Sequence, residues 1–169
     1  QGLCDEGLDR PRSDLAGQIL EKITSNSPQF FERLVVDLMV SMGYGGSRSD
    51  AGRSIGGIGD EGIDGIIKEV RLGLDAVYLQ AKRWEGTVGR PDVQKFVGAL
   101  HGKRAKKGVF ITTGKFSDEA RKYVETIDPK VILIDGRTLA ELMIDNNLGT
   151  TTTATYPIKR IDSDYFAEE

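Results

Sequence analysis

The residues best placed to do chemistry are Asp64, in GDEGIDGII, and the triplet Gln80-Ala81-Lys82, in VYLQAKRW. Side chains alternate across a strand, so Val77, Leu79 and Ala81 face one way while Tyr78, Gln80 and Lys82 face the other. The apolar set packs under a helix, and the polar set faces a cleft or solvent. Gln80 then offers a side-chain oxygen and Lys82 a cation on one face, with the Ala81 carbonyl between them. Asp64 follows the turn-prone Gly59-Asp60-Glu61-Gly62-Ile63 and projects near the neighbouring strand. Hard cations such as Mg²⁺ take oxygen sets of this kind and keep several waters. A divalent metal beside a lysine is what hydrolysis of a phosphodiester requires. The same residues also suit a cross-strand Asp64–Lys82 ion pair worth ~0.2–1 kcal/mol. Spacing alone does not choose between the two.

Glu32 lies at the edge of an apolar helix face, near Val36 and Met39, where a carboxylate either leans into the cleft or is an ordinary boundary residue. Trp84 follows Lys82-Arg83 and is placed either to stack on a base or to cover a sheet edge. Other motifs are weaker. Gly57 to Gly62 formally matches G-x-G-x-x-G, but these glycines precede a strand, whereas a dinucleotide fingerprint follows one and opens a helix. No G-x-x-x-x-G-K-[ST] phosphate loop is present. His101 is the only histidine, which excludes a paired-histidine metal site and points to a surface or capping role.

Several elements must position these groups. Ser27-Pro28 is a helix start, with Ser as cap and Pro where a missing N–H does no harm. Phe31, Leu34, Val35, Leu38 and Met42 then recur at the spacing of one buried helix face, and Gly43 ends the run. The Gly- and Ser-rich stretch 45–62 reads as a mobile loop, or a short irregular strand, leading into the site. Residues 63–70 and 76–84 read as two strands joined by a hairpin turn at 71–75. A helix from Pro91 to about Arg104, a strand at 108–113, a helix capped by Ser117, a strand at 131–135 and a helix at 137–146 follow. This order predicts an α/β fold: a central mixed sheet flanked by helices, with an antiparallel hairpin at its start.

A chain of 169 residues, 38% hydrophobic and 29% charged, suits one globular domain. The expected divisions are a linker or remnant at 1–26, the folded domain at 27–148 and an acidic tail at 149–169. The opening QGLCDEGLDRPRSD has no initiator Met, basic start or apolar run, so it reads as part of a longer protein and not as a secretory signal. No apolar run is long enough to span a membrane. The single cysteine, Cys4, excludes an internal disulfide and a Cys-based zinc site, and fits a reducing cytoplasm. The net charge of −3 argues against nucleic-acid binding, yet Lys82, Arg83, Arg90, Lys95, Lys103, Arg104, Lys106 and Lys107 fall in one stretch against only Glu85 and Asp92. Such a stretch either attracts phosphates or forms a solvated helix face.

Taken together, FFERLVVDLMVSMGY, GDEGIDGII, VYLQAKRW, DVQKFVGAL, GVFITTGKFSDEA and ILIDGRTLAELM resemble the catalytic domain of Mrr-type restriction endonucleases, in the PD-(D/E)XK nuclease superfamily. The resemblance covers roughly Pro28 to Asn146, and the ordered set of segments is far more specific than the Asp64/Gln80/Lys82 spacing. It implies a restriction-endonuclease-like fold and a Mg²⁺-dependent endodeoxyribonuclease, with Mn²⁺ as a possible substitute. It implies Asp64 as the metal-binding aspartate, Lys82 as the catalytic lysine and Glu32 as the helix glutamate that organises the metal. Gln80 stands where the superfamily usually has Glu or Asp, and Gln is typical of the Mrr branch. The Ala81 carbonyl completes the metal set, while Gln94 matches a polar position used near the site. Gln94, Arg83 and Trp84 are the candidate substrate contacts. The implied partner is double-stranded DNA, foreign or modified, read by a separate recognition domain in a prokaryotic cytoplasm. A double-strand cut needs two sites or two events, which a homodimer would supply. The alternatives are a junction-resolvase-like nuclease, a DNA-binding module with a vestigial site and an effector nuclease of a defence or toxin system.

Overall fold

The computed structural model describes residues 5–44, 65–68, 76–157, 159–163 and 165–166. The expected loop at 45–62, with its glycine motif, Asp64 and the turn at 71–75 lie outside these residues.

The segment expected to be a linker is a helix, α1, over Asp5–Ser25. Its Ala16, Ile19 and Ile23 are buried in the core, and Leu20 packs beside them. These four stand at i, i+3, i+4 and i+7, one helical face. The polar opening and Pro11, which sits inside the helix, masked that periodicity. Helix α2, Pro28–Ser41, starts as expected: the Ser27 hydroxyl accepts a hydrogen bond from the Phe30 N–H at 3.2 Å. It ends in a Schellman turn. The N–H of Tyr44 donates to the Met39 carbonyl and that of Gly43 to the Val40 carbonyl, each at 2.9 Å. Gly43 has φ +93°, a conformation glycine adopts without a Cβ clash.

Strand β1 (Gly65–Lys68) pairs antiparallel with β2 (Ala76–Lys82), as the hairpin reading requires. A two-residue strand β3, Thr87–Val88, leads into helix α3, Arg90–Gly102. Then come β4 (Lys107–Thr112), β5 (Lys115–Phe116), α4 (Asp118–Glu125), β6 (Lys130–Ile134) and α5 (Gly136–Asp145). The main sheet has the order β1-β2-β4-β6, with β2, β4 and β6 parallel. It is the mixed sheet expected from the element order. Short β3 and β5 form a separate parallel pair, Thr87 opposite Lys115 and Val88 opposite Phe116. Two-residue strands carry no periodicity, so nothing in the sequence announces them.

Both faces of the sheet are covered, as parallel strands require. One core holds α1, α2 and α5 against Val77, Leu79, Val109, Ile111 and Ile134. The other holds α3 and Ala120 of α4 against Phe110 and Val131, with Tyr78 and Leu133 beside them. The alternation read along β2 is therefore the observed one, and its polar face shares a side with α3. Residues 151–157 are exposed and contain no helix or strand.

Helix α5 is capped by Asp135, whose carboxylate accepts from the Thr138 N–H at 2.9 Å and pairs with Arg121 at 2.6 Å. Burial raises the Asp135 carboxyl pKa, but the Thr138 hydrogen bonds and the Arg121 charge outweigh it, leaving the carboxyl below its ordinary value. A carboxylate with a depressed pKa adds stability above its unfolded pKa of about 3.9 and loses it as pH falls through the folded value. Asp135→Ala is thus expected to cost about 0.5–2 kcal/mol at neutral pH. The penalty should shrink below about pH 4 as the wild-type carboxyl protonates. Urea titrations of both proteins at pH 7 and pH 3 check this; an equal penalty at both would exclude the charged cap.

Candidate active site at the end of strand β2

Lys82 is the last residue of β2 and stands opposite Thr112, the last residue of β4. Gln80 lies two residues back, opposite Phe110, on the same face as Lys82. Gln80, Ala81 and Lys82 are all half-buried. Gly65, the residue after Asp64, pairs with Leu79, the residue before Gln80. Asp64 itself lies outside the described residues. Glu32 is exposed on α2 next to the fully buried Phe31, although Val36 and Met39 on its side of the helix wheel are buried. Gln94 is exposed on α3, two residues after Asp92. Among the described residues, no group of three or more His, Cys, Asp or Glu gathers to hold a metal.

The Lys82 ammonium makes two contacts. Its Nζ donates to the Asp92 carboxylate at 2.8 Å and lies over the Trp84 ring, 4.9 Å from the centroid. Neither partner is fixed by local sequence. Asp92 is an acid in the first turn of α3, where the helix dipole welcomes it. Trp84 is held by its backbone: its N–H donates to the Thr113 hydroxyl, which donates in turn to the Trp84 carbonyl, each at 3.0 Å.

The loop that carries Trp84 is clamped from below. A Cβ on Gly114 would lie 2.1 Å from the Gly86 carbonyl oxygen and 2.7 Å from that of Trp84. A Cβ on Gly136 would lie 2.1 Å from the Thr113 carbonyl oxygen. The Gly136 N–H donates to the Gly114 carbonyl at 2.9 Å, and the Lys115 N–H donates to the Gly86 carbonyl at 3.2 Å. These close backbone approaches explain why both positions are glycine.

Arg83 faces away from Lys82, as strand alternation requires. Its guanidinium donates to the Thr24 carbonyl at 3.3 Å and to the Asn26 carbonyl. It thereby caps the end of α1 and ties the start of α2 to β2. Arg83, Trp84, Glu85, Gly86 and Thr24 line an open cleft of about 400 Å³. Trp84 is 50% exposed there, so its indole is accessible as well as packed on Lys82.

The structure brings Gln80, Ala81, Lys82 and Trp84 to one end of β2. It sets Arg83 on backbone carbonyls and leaves Glu32 and Gln94 on exposed helix surfaces. Asp92 and Thr113 are contacts that sequence reading missed. An acid at a helix start was the one available signal for Asp92, and it reads first as a dipole partner.

A family model for restriction endonucleases, Mrr_cat, matches residues 23–143. The type IV methyl-directed restriction enzyme EcoKMrr of Escherichia coli (strain K12) is 45% identical over 162 residues, which is 96% of this chain and 52% of that enzyme. The chain thus spans about half the length of that relative. The fold is similar to that of the DNA modification-dependent restriction endonuclease AspBHI, with TM-score 0.59 and 19% identity over 83% of this chain and 37% of that one. It is also similar to the MspJI restriction endonuclease solved with a 27-mer oligonucleotide, with TM-score 0.55 and 30% identity over 78% of this chain and 32% of that one. The family match takes in β2, α3 and every described site residue, and the chain belongs to the Mrr family of restriction endonuclease catalytic domains.

Proposed function

We propose that this chain is the catalytic domain of a divalent-metal-dependent endodeoxyribonuclease that cuts foreign or modified DNA in a prokaryotic cytoplasm. The observation that carries this reading is the placement of Gln80 and Lys82 on one face at the end of β2, inside the span that matches the restriction endonuclease family. The name of the Escherichia coli relative supports modified DNA as the target. The rest of that relative's length supports a separate recognition domain, and cutting both strands would need two sites, which pairing of two copies would supply.

The donor set fits a hard cation. Gln80 and Ala81 would offer neutral oxygens at the end of β2, Asp64 would add a carboxylate, and Glu32, exposed on α2, would act through water. Oxygen ligands suit Mg²⁺, with Mn²⁺ as substitute, whereas zinc favours thiolate and imidazole. A cation held there supplies activation of the attacking water and offsets charge on the phosphate. The water oxygen bonds to phosphorus as the bond to the leaving sugar oxygen breaks. Lys82 donates to the oxygens on which negative charge builds. Trp84 and Arg83 border the cleft where the strand lies, with Gln94 on the adjoining helix.

The test is cleavage of methylated and unmethylated plasmid with Mg²⁺ by the protein in its natural full length. Wild type should cut the methylated plasmid, and both a chelator and Asp64→Ala should stop it. Cutting that survives Asp64→Ala would sink the reading. A strong preference for branched over linear DNA would favour a junction-resolvase-like enzyme. Salt-dependent binding without cleavage would leave a DNA-binding module with a vestigial site.

A further inference from the structure

We propose that Asp92 is a positioning residue for Lys82: its carboxylate pins the ammonium against the Trp84 ring and so aims it at the phosphate. This rests on the nuclease reading above and adds a residue to it. A lysine ammonium is a point charge on a flexible four-carbon stem. At the end of β2 that freedom is removed by two contacts, the 2.8 Å pair with Asp92 and the Trp84 ring 4.9 Å from Nζ. The side chains of Lys82 and Asp92 are 32% and 43% exposed, and pairs this exposed add little to stability. Orientation is the larger consequence. An ammonium has three N–H donors. One is spent on Asp92, leaving two for phosphate oxygens.

The supports for both partners lie far apart in the chain. Asp92 belongs to α3, anchored through Val93, Phe96 and Leu100 in the core. Trp84 is held by Thr113, twenty-nine residues on in sequence. Ammonium position is therefore set by the tertiary structure on two sides. Asp92 is also a negative charge near the place a phosphate must occupy. It opposes substrate binding while it orders the lysine, and that opposition gives the inference its signature.

Asp92→Asn keeps the size and removes the charge. In the full-length protein its kcat on plasmid should fall about 10–100-fold, the range expected when a reacting group is misplaced by about 1 Å. DNA affinity measured without metal should stay equal or tighten, and the melting temperature should stay near wild type. Asp92→Glu should recover part of kcat. A carboxylate that only stabilised the fold would lower melting temperature, binding and turnover together. Wild-type kcat in Asp92→Asn, or a parallel loss of affinity and melting temperature, overturns the inference while the nuclease reading stands. A wild-type protein that cuts no DNA removes both readings.

Discussion

Replacing Lys82 by alanine is expected to lower Mg²⁺-dependent DNA cleavage by about 10²–10³-fold, the cost of deleting one preorganised donor to developing charge. The fold should survive. Lys82 gives up a half-exposed ion pair with Asp92, worth about 0–1 kcal/mol, and a contact with the Trp84 ring of about 0.5–1 kcal/mol. For a domain of this size each kcal/mol shifts the melting temperature by about 2–4 °C, so a modest drop is expected. Lys82→Arg keeps the charge, but a planar fork does not reproduce a compact ammonium, and it should recover little. Initial rates on supercoiled plasmid, read beside a thermal melt, separate the two effects. Normal cutting by the alanine variant removes Lys82 from the site. Lost cutting with a collapsed melt would assign the effect to stability instead.

Phe110→Ala is expected to destabilise the domain by about 3–5 kcal/mol. Phe110 is 1% exposed and stands opposite Gln80 in the β2–β4 register. Its ring contacts Phe96 of α3 and Phe116 of β5 edge-on, both at 5.5 Å between centroids, with interplanar angles of 88° and 82°. One side chain thus joins the central sheet, the helix that carries Asp92 and the short β3–β5 pair. Its removal leaves a cavity bordered by rigid elements that cannot close in. Set against a typical stability of about 5–15 kcal/mol, the loss takes a large share. The urea midpoint should fall sharply, and activity should return partly on cooling or with bound DNA. Phe110→Leu keeps apolar bulk and should lose less. An unchanged midpoint in Phe110→Ala would show that the three rings do not form a core.

Much of the fold was legible along the chain, for physical reasons that can be named. Ser27 and Ser117 cap the helices they were expected to cap, each accepting an N–H three residues on at 3.2 Å. A hydroxyl at that position needs no distant partner to do this. The alternation in β2 was legible because one face had to be apolar, and Val77 and Leu79 are buried as expected. Helix α1 was missed, although Ala16, Ile19, Leu20 and Ile23 carry the helical period. A polar start and Pro11 outweighed four apolar residues, and only packing on α5 shows where they go. The β3–β5 pair was missed because strands of two residues are defined by their partner alone.

By itself the sequence determined the family, the order of the longer elements from α2 onward and the candidates for the reactive groups. Those follow from local periodicity, capping chemistry and an ordered set of motifs running from Pro28 to Asn146. Tertiary structure decided what those groups touch. It placed Lys82 between Asp92 and the Trp84 ring, and turned Arg83 onto the carbonyls of Thr24 and Asn26. It also held the Trp84 loop against Gly114. Lys82 and Asp92 are joined through a nine-residue connection whose path depends on Val88 being buried beside Phe116. Neither residue type states that path. A charged pair ten residues apart forms only when the packing of the intervening chain brings it within 3 Å.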